Sequence, residues 1–500
     1  MYKFILFAFF THALFAQTYE EYLNSQNEAF SSFKEKRDKE FSSFLNKEWK
    51  AFKQSQGQAV YEEKKPKELP KAIIRKHKVK DLIELRIMDP KSKKVKVIEL
   101  KKSSKKIEVV RVAKVIEKKV KEYKKIIIIP SSKSFKTLYL NYYGVDLQLH
   151  YDISMLLSMN RSISKNDISK AWDSLAYSKY EMTLNELESI SKKLQLNGWG
   201  KFLLVKKVSN ALYKSSNEAK VFTWFSMLKM GYDAHIAFQE HRLVLLVPIK
   251  GNLYNTVYYA LNGKNYYAIN YYAKGRLGSI VTYDNVYEGA DKSIDFEMKV
   301  LPLFTPSKVQ KRFTFSLENK LESLILSYDE NLLKFFKTFP QVSYENYFSS
   351  SQTLLLQNSI KDSFTPLLKG KSQNEALDII LNFVQNAFKY KVDEKQFNME
   401  KVMFPSETLF YTYSDCEDRA ILFTYMVKTL LNVEVLGIKY PNHMATAVYI
   451  KDKVEGEYIR SRNRTYVLAD PTYINASIGM SMPQFRGTSS YVIVSTGGEK

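Results

Sequence analysis

Tyr413-Ser-Asp-Cys-Glu-Asp-Arg-Ala420, continued by an apolar-periodic run to Leu431, is the stretch whose reading decides the fold. Ser414 or Asp415 can cap a helix there, with Glu417 and Asp418 in its first turn. Cys416, the only cysteine in 500 residues, therefore falls at a helix N-terminus. The unpaired N–H groups and the positive end of the helix dipole favour a thiolate at that place, and the flanking carboxylates oppose it. A reactive thiol here needs a cationic partner.

Outward from that helix, Val433 to Pro441 reads as a strand, and His443 follows Asn442 at the head of a second strand, Ala445 to Ile450. Arg464 to Ala469 reads as a third strand, closed by Asp470-Pro471. Singly, each residue has a plainer reading. A lone cysteine usually packs as a small hydrophobe, a histidine before a strand is mostly structural, and Asp-Pro is an ordinary turn. Their joint order and spacing favour a nucleophile, a base and an orienter: Cys416, His443 and Asp470.

These residues resemble the transglutaminase-like superfamily of papain-like thiol enzymes, in its bacterial branch. The matching positions are Cys416-x-Asp418-x-Ala420, Tyr440-Pro-Asn-His443 with Ala445-Thr-Ala-Val448, and Ala469-Asp-Pro-Thr-Tyr473 running into Gly479-Met-Ser-Met-Pro483. Ala376 to Tyr390 is similar to the amphipathic helix that precedes the nucleophile in that family. The resemblance covers residues 355–490 and implies an α+β chain with a papain-like catalytic domain at its C-terminus. It also implies acyl transfer, in which His443 takes the proton of Cys416, the thiolate attacks an amide carbonyl, and Asp470 fixes the imidazole tautomer. The Cys416 backbone N–H is the expected first oxyanion donor; Tyr411, Tyr413 and Gln385 are candidates for a second. No Trp follows Cys416, unlike the animal calcium-dependent cross-linkers, so protein cross-linking is not the default reading.

The remaining chain divides by composition. Residues 1–16, with Lys3, an apolar run from Phe4 to Phe10 and small residues at Ala13 and Ala16, read as a secretory signal peptide. The expected location is periplasmic or secreted. Residues 17–57 carry Tyr19, Tyr22, Phe30, Phe33, Phe41, Phe44 and Phe52 at an eleven-residue repeat. That period predicts a long helix with one aromatic face, which docks on the protein's own body or on another helix. Residues 58–71 form a linker with Pro66 and Pro70, and residues 72–135 a small β-rich basic segment.

The net charge is +23, and residues 61–125 hold 24 Lys and Arg against 10 Asp and Glu. That concentration suggests attraction to an anionic cell-envelope surface. Nucleic acid is not expected, because the aromatics that stack bases are absent from the segment. The six histidines are scattered, none at ligand spacing from another, and no phosphate-binding glycine loop occurs. Neither a metal nor a cofactor is expected.

Residues 136–285 read as a central α+β domain that repeats the C-terminal logic in reduced form, and residues 286–354 as a connecting β/α region. Ala219 to Trp224 parallels Ala420 to Tyr425 at an offset of 201, which sets Ser215 opposite Cys416, His241 opposite His443 and Asn270 opposite Asp470. Such a copy should be inert, since a serine hydroxyl is a far weaker nucleophile than a thiolate. The functional expectation for the whole chain is an exported thiol-dependent acyl-transfer enzyme, foremost a hydrolase of protein or cell-envelope peptide. Transamidation is one alternative. A non-catalytic envelope-binding or scaffold protein that keeps the fold is the other.

Overall fold

The tyrosine-rich alternation after residue 136 folds as a hairpin, β3 (Phe135–Tyr142) and β4 (Val145–Asp152), and a second hairpin recurs as β10 (Lys308–Leu317) and β11 (Lys320–Asp329). Each closes on two residues of positive φ, Tyr143 and Gly144 in one, Glu318 and Asn319 in the other. Positive φ at both central residues matches the right-handed strand twist, so both hairpins close tightly. Each is also clasped at its open end. Ser134 Oγ donates to Asp152 at 2.6 Å and Ile153 N to Ser134 O at 3.0 Å; Ser307 N donates to Asp329 at 3.1 Å and Glu330 N to Ser307 O at 2.8 Å.

This computed structural model describes residues 19–47, 49–52, 83–84, 134–159, 163–239, 242–269, 277–451, 454–461, 463–486, 488 and 490–494. The expected signal peptide and nearly all of the basic segment lie outside them. The chain opens with α1 (Tyr19–Leu45), β1 (Lys50–Phe52) and β2 (Ile83–Glu84). After β4 come α2 (Lys165–Ala176), α3 (Glu181–Lys193), α4 (Gly198–Leu212) and α5 (Ser216–Lys229), then β5 (His235–Gln239), β6 (Arg242–Pro248), β7 (Tyr258–Leu261), β8 (Lys264–Ala268) and β9 (Ile280–Thr282). The second hairpin leads into α6 (Glu330–Phe336), α7 (Tyr344–Phe348), α8 (Leu354–Leu368) and α9 (Gln373–Asn386). Next are β12 (Lys389–Tyr390), α10 (Asp393–Phe397), α11 (Pro405–Phe410), β13 (Tyr413–Ser414) and α12 (Cys416–Leu431). The last strands are β14 (Val435–Tyr440), β15 (His443–Tyr449), β16 (Glu457–Ser461), β17 (Arg464–Ala469) and β18 (Tyr491–Val494). The protein is therefore mixed α+β, with two curled sheets.

The two sheets share one topology. The central sheet runs β9-β5-β6-β8-β7 and the C-terminal sheet β18-β14-β15-β17-β16, every neighbouring pair antiparallel. In both, the five strands after the long helix stand in the order fifth, first, second, fourth, third. Each sheet gains one short outer strand, β1 beside β9 and β2 parallel to β16. Residues 83–84, expected within a separate basic β module, thus join the C-terminal sheet.

One boundary of the sequence reading moves. The aromatic helix expected over residues 17–57 stops at Leu45, and Phe52 lies in a strand opposite Ile280. The Trp49 indole bends back to donate to Leu45 O at 3.0 Å, satisfying a carbonyl that the helix end leaves open. The docked part of α1 lies on its own chain: Phe41 and Leu45 are buried, Phe41 against Trp172, Tyr283 and Tyr287. Phe30 and Phe33, nearer the N-terminus, stay 59% and 48% exposed.

Both faces of each sheet are covered. On the C-terminal sheet, Val435, Val448 and Val467 meet Leu422, Phe423 and Met426 of α12, while Leu436, Ala445, Ala447 and Leu468 form the opposite core. No helix among the described residues is long and apolar enough to cross a membrane.

Candidate functional site

Asp415, at the N-cap of α12, and Asp418 make a capping box, with Asp415 N donating to Asp418 Oδ2 at 3.3 Å. Of the two residues able to cap, Asp415 does so, while Ser414 ends β13 and accepts from Arg419. Cys416 is consequently the first residue of the helix, with its side chain in the apolar cluster that also holds Phe404, Ala420 and Met444. Its Sγ donates to Glu417 Oε2 at 3.0 Å.

His443 opens β15 and Asp470 follows the last residue of β17. Neighbouring antiparallel strands bring the two together, and His443 Nε2 lies 2.8 Å from Asp470 Oδ2. The carboxylate is held in turn: its Oδ1 accepts from Thr472 N at 2.9 Å and Tyr473 N at 3.2 Å. The ionised carboxylate can only accept, so Nε2 carries the proton and Nδ1 presents its lone pair. Nδ1 is buried and has no hydrogen-bond partner among the described residues, the thiol included. Phe485 lies flat on the imidazole, centroids 4.7 Å apart and planes within 11°, with Tyr440 stacked beyond.

The structure joins His443 to Asp470 directly, and α12, whose first residue is Cys416, packs against the strand that His443 opens. Strand alternation refines this. Met444 and Val448 face α12, whereas His443 shares the other face with Tyr440 and Ala445 and is anchored there by Phe485. All three side chains are closed off from solvent, each residue 1% exposed.

Three neighbours have roles that the motifs do not give. Arg419, fully buried one turn after the thiol, donates to Ser414 Oγ at 3.1 Å, Gln385 O at 3.3 Å and Phe388 O at 2.9 Å. Burial pushes its guanidinium down to about 10, against the opposing pull of Tyr390, Asp415, Asp418 and Cys416. Gln385, a candidate oxyanion donor on sequence, is committed elsewhere. Its amide donates to Asp470 O at 3.1 Å and Ala476 O at 3.0 Å, and its oxygen accepts from Asn475 N at 3.1 Å. It braces the Asp470 turn. Glu417 is the third. In the sequence Arg419 and Glu417 are marked only as charges that open an apolar-periodic run.

Two groups of buried carboxylates, Asp393 with Asp415 and Asp418, and Asp393 with Glu400 and Glu417, have oxygens within 4.8 Å of one another. A search for histidine spacing does not reveal them. Part of their charge is met by Arg419 and by backbone donors, Lys401 N to Asp393 and Met403 N to Asp418, both at 2.8 Å.

In the central unit, equivalent positions hold other residues. The hairpin closing pair Gln239 and Arg242 corresponds to Tyr440 and His443, so Arg242 stands where His443 does. Helix α5 starts at Ser216 after its cap Ser215, as α12 starts at Cys416 after Asp415. Ser215, expected opposite Cys416, is instead the counterpart of Asp415, its hydroxyl accepting from Asn217 N at 3.3 Å. His241 and Asn270 lie outside the described residues. No protein-family model, curated protein or solved structure matches this chain.

Proposed function

We propose that the chain is an exported thiol-dependent acyl-transfer enzyme, acting as a peptide or amide hydrolase through Cys416, His443 and Asp470. One observation carries the reading: a buried, oriented His443–Asp470 pair whose second imidazole nitrogen has no hydrogen bond among the described residues, on the strand that packs against the cysteine helix. In this reading Nδ1 takes the thiol proton, the thiolate adds to the amide carbonyl, and the leaving amine departs with that proton. Water then cleaves the thioester and regenerates the thiol; an amine in place of water gives transamidation. The Met1–Ala16 pattern supports export, and the basic segment of residues 61–125 supports retention on anionic envelope material.

The central unit, in the same reading, is a silent copy of the catalytic one. The shared strand order, the twin hairpins and the twin Ser–Asp clasps support this, and Ser216 with Arg242 cannot run thiol chemistry.

A second reading, a scaffold that has kept the fold without the reaction, is favoured by the closure of all three side chains and by the thiol's bond to Glu417. Mass spectrometry of the protein mixed with a library of peptide amides separates the two. Acylation at Cys416 that is chased by water or hydroxylamine, and absent in Cys416→Ala, supports the enzyme. Absence of any adduct across the library supports the scaffold.

A further inference from the structure

We propose that the groove between the β3–β4 hairpin, α4 and α6 is a binding site for a ligand carrying a carboxylate or phosphate, held by Lys206, Lys207 and Lys334. The groove has a volume of about 690 Å³, and its walls come from the hairpin, α4 and α6. That size suits a small ligand or the end of a chain. Its walls carry three lysines and the amides of Asn141, Asn210 and Asn331, and no carboxylate is among the lining residues.

Two of these groups have acidic partners outside the lining. Glu330 pairs with Lys334 at 3.2 Å, and Asp146 accepts from the Asn141 amide at 2.8 Å. Burial holds the Lys206 ammonium below its usual range, as expected for a cation turned into a concavity. An oxyanion in the groove gains charge-assisted hydrogen bonds from ammonium groups carried on two of its walls.

One wall is also unusual in its backbone. Tyr143 holds a left-handed conformation, φ 50°, with its ring packed on Phe304 and Phe335. Beside it, Gly144 leaves room for the Asn331 amide, which a Cβ at that position would meet at 2.3 Å. The hairpin tip and α6 are thus fitted to one another, which fixes the width of the groove. None of Cys416, His443 or Asp470 lines it, so the proposal does not depend on the thiol chemistry.

Calorimetric titration of the full chain with inorganic pyrophosphate and with tetraglutamate tests it. Binding of either is expected, pyrophosphate alone assigning phosphate and the peptide alone carboxylate. Lys206→Gln with Lys207→Gln should raise Kd about tenfold or more. Lys192→Gln with Lys193→Gln, which removes the same charge at the end of α3, should leave it unchanged. Should the first pair fail to fold, Lys207→Gln alone, on the exposed side of α4, should still weaken binding severalfold. Absence of binding by both probes at millimolar concentration, indifference to Lys207→Gln, or equal loss in the α3 pair would overturn the proposal.

Discussion

His443 Nε2 and Asp470 Oδ2 are 2.8 Å apart in a site closed to solvent, and the carboxylate's other oxygen is fixed by two backbone N–H groups. The imidazole therefore has one tautomer and one orientation available. Asp470→Asn keeps an oxygen for Thr472 N and Tyr473 N but gives the imidazole no charge to lean on. It should lower the rate of Cys416 acylation by roughly two to four orders of magnitude. The melting temperature should change little. Pre-steady-state acylation kinetics beside a thermal melt check both halves, and an unchanged rate removes Asp470 from the mechanism.

Glu417 is the thiol's hydrogen-bond acceptor and carries a charge that opposes ionisation of Cys416. Glu417→Gln should therefore speed alkylation of Cys416 severalfold near pH 7. The gain should shrink at pH 9, where the thiol ionises without help. A slower reaction across the whole pH range would assign Glu417 to holding the thiol in place rather than to restraining it.

The docking of α1 rests on a charged latch. Lys229, in contact with the rings of Trp172, Tyr180, Phe225 and Tyr287, pairs with Asp38 of α1, and Tyr287 donates to the same carboxylate at 2.7 Å. Asp38→Asn leaves the buried ammonium unpaired and should cost about 3–5 kcal/mol at pH 7. Lys229→Met in the same background should recover most of that loss.

The latch also sets a pH dependence. Burial pushes the Lys229 ammonium down to about 8, with Asp38 resisting. Between that value and the ordinary lysine range the unfolded chain binds more protons than the folded one. Stability contributed by this site therefore rises as pH climbs from about 8 toward 10. The melting temperature of the native protein, relative to that of Asp38→Asn with Lys229→Met, should rise as pH climbs through that window.

Local pattern carried much of this architecture. The helix from Cys416, the strands on either side of His443 and the helices after Ser164 and near Thr183 follow from caps and apolar periodicity close in sequence. Ser164 shows why: it caps α2 in a box with Asp167, three residues away. What the chain hid is set at long range. Phe52 keeps the aromatic period yet pairs with Ile280, because a sheet edge 228 positions along the chain offers it hydrogen bonds. Gln385 resembles a free amide in sequence, and only the fold shows it spent on the Asp470 turn. The correspondence of Arg242 with His443 likewise needed hairpin register, and that of Ser216 with Cys416 the observed helix starts.

Because Cys416 is the only thiol, its alkylation by iodoacetamide at pH 6 reports on a single atom and tests the central claim most directly. The account predicts that the folded protein reacts faster than the same chain in denaturant, and that His443→Ala abolishes the difference. Labelling confined to the denatured chain, or a folded-state rate indifferent to His443→Ala, would contradict it.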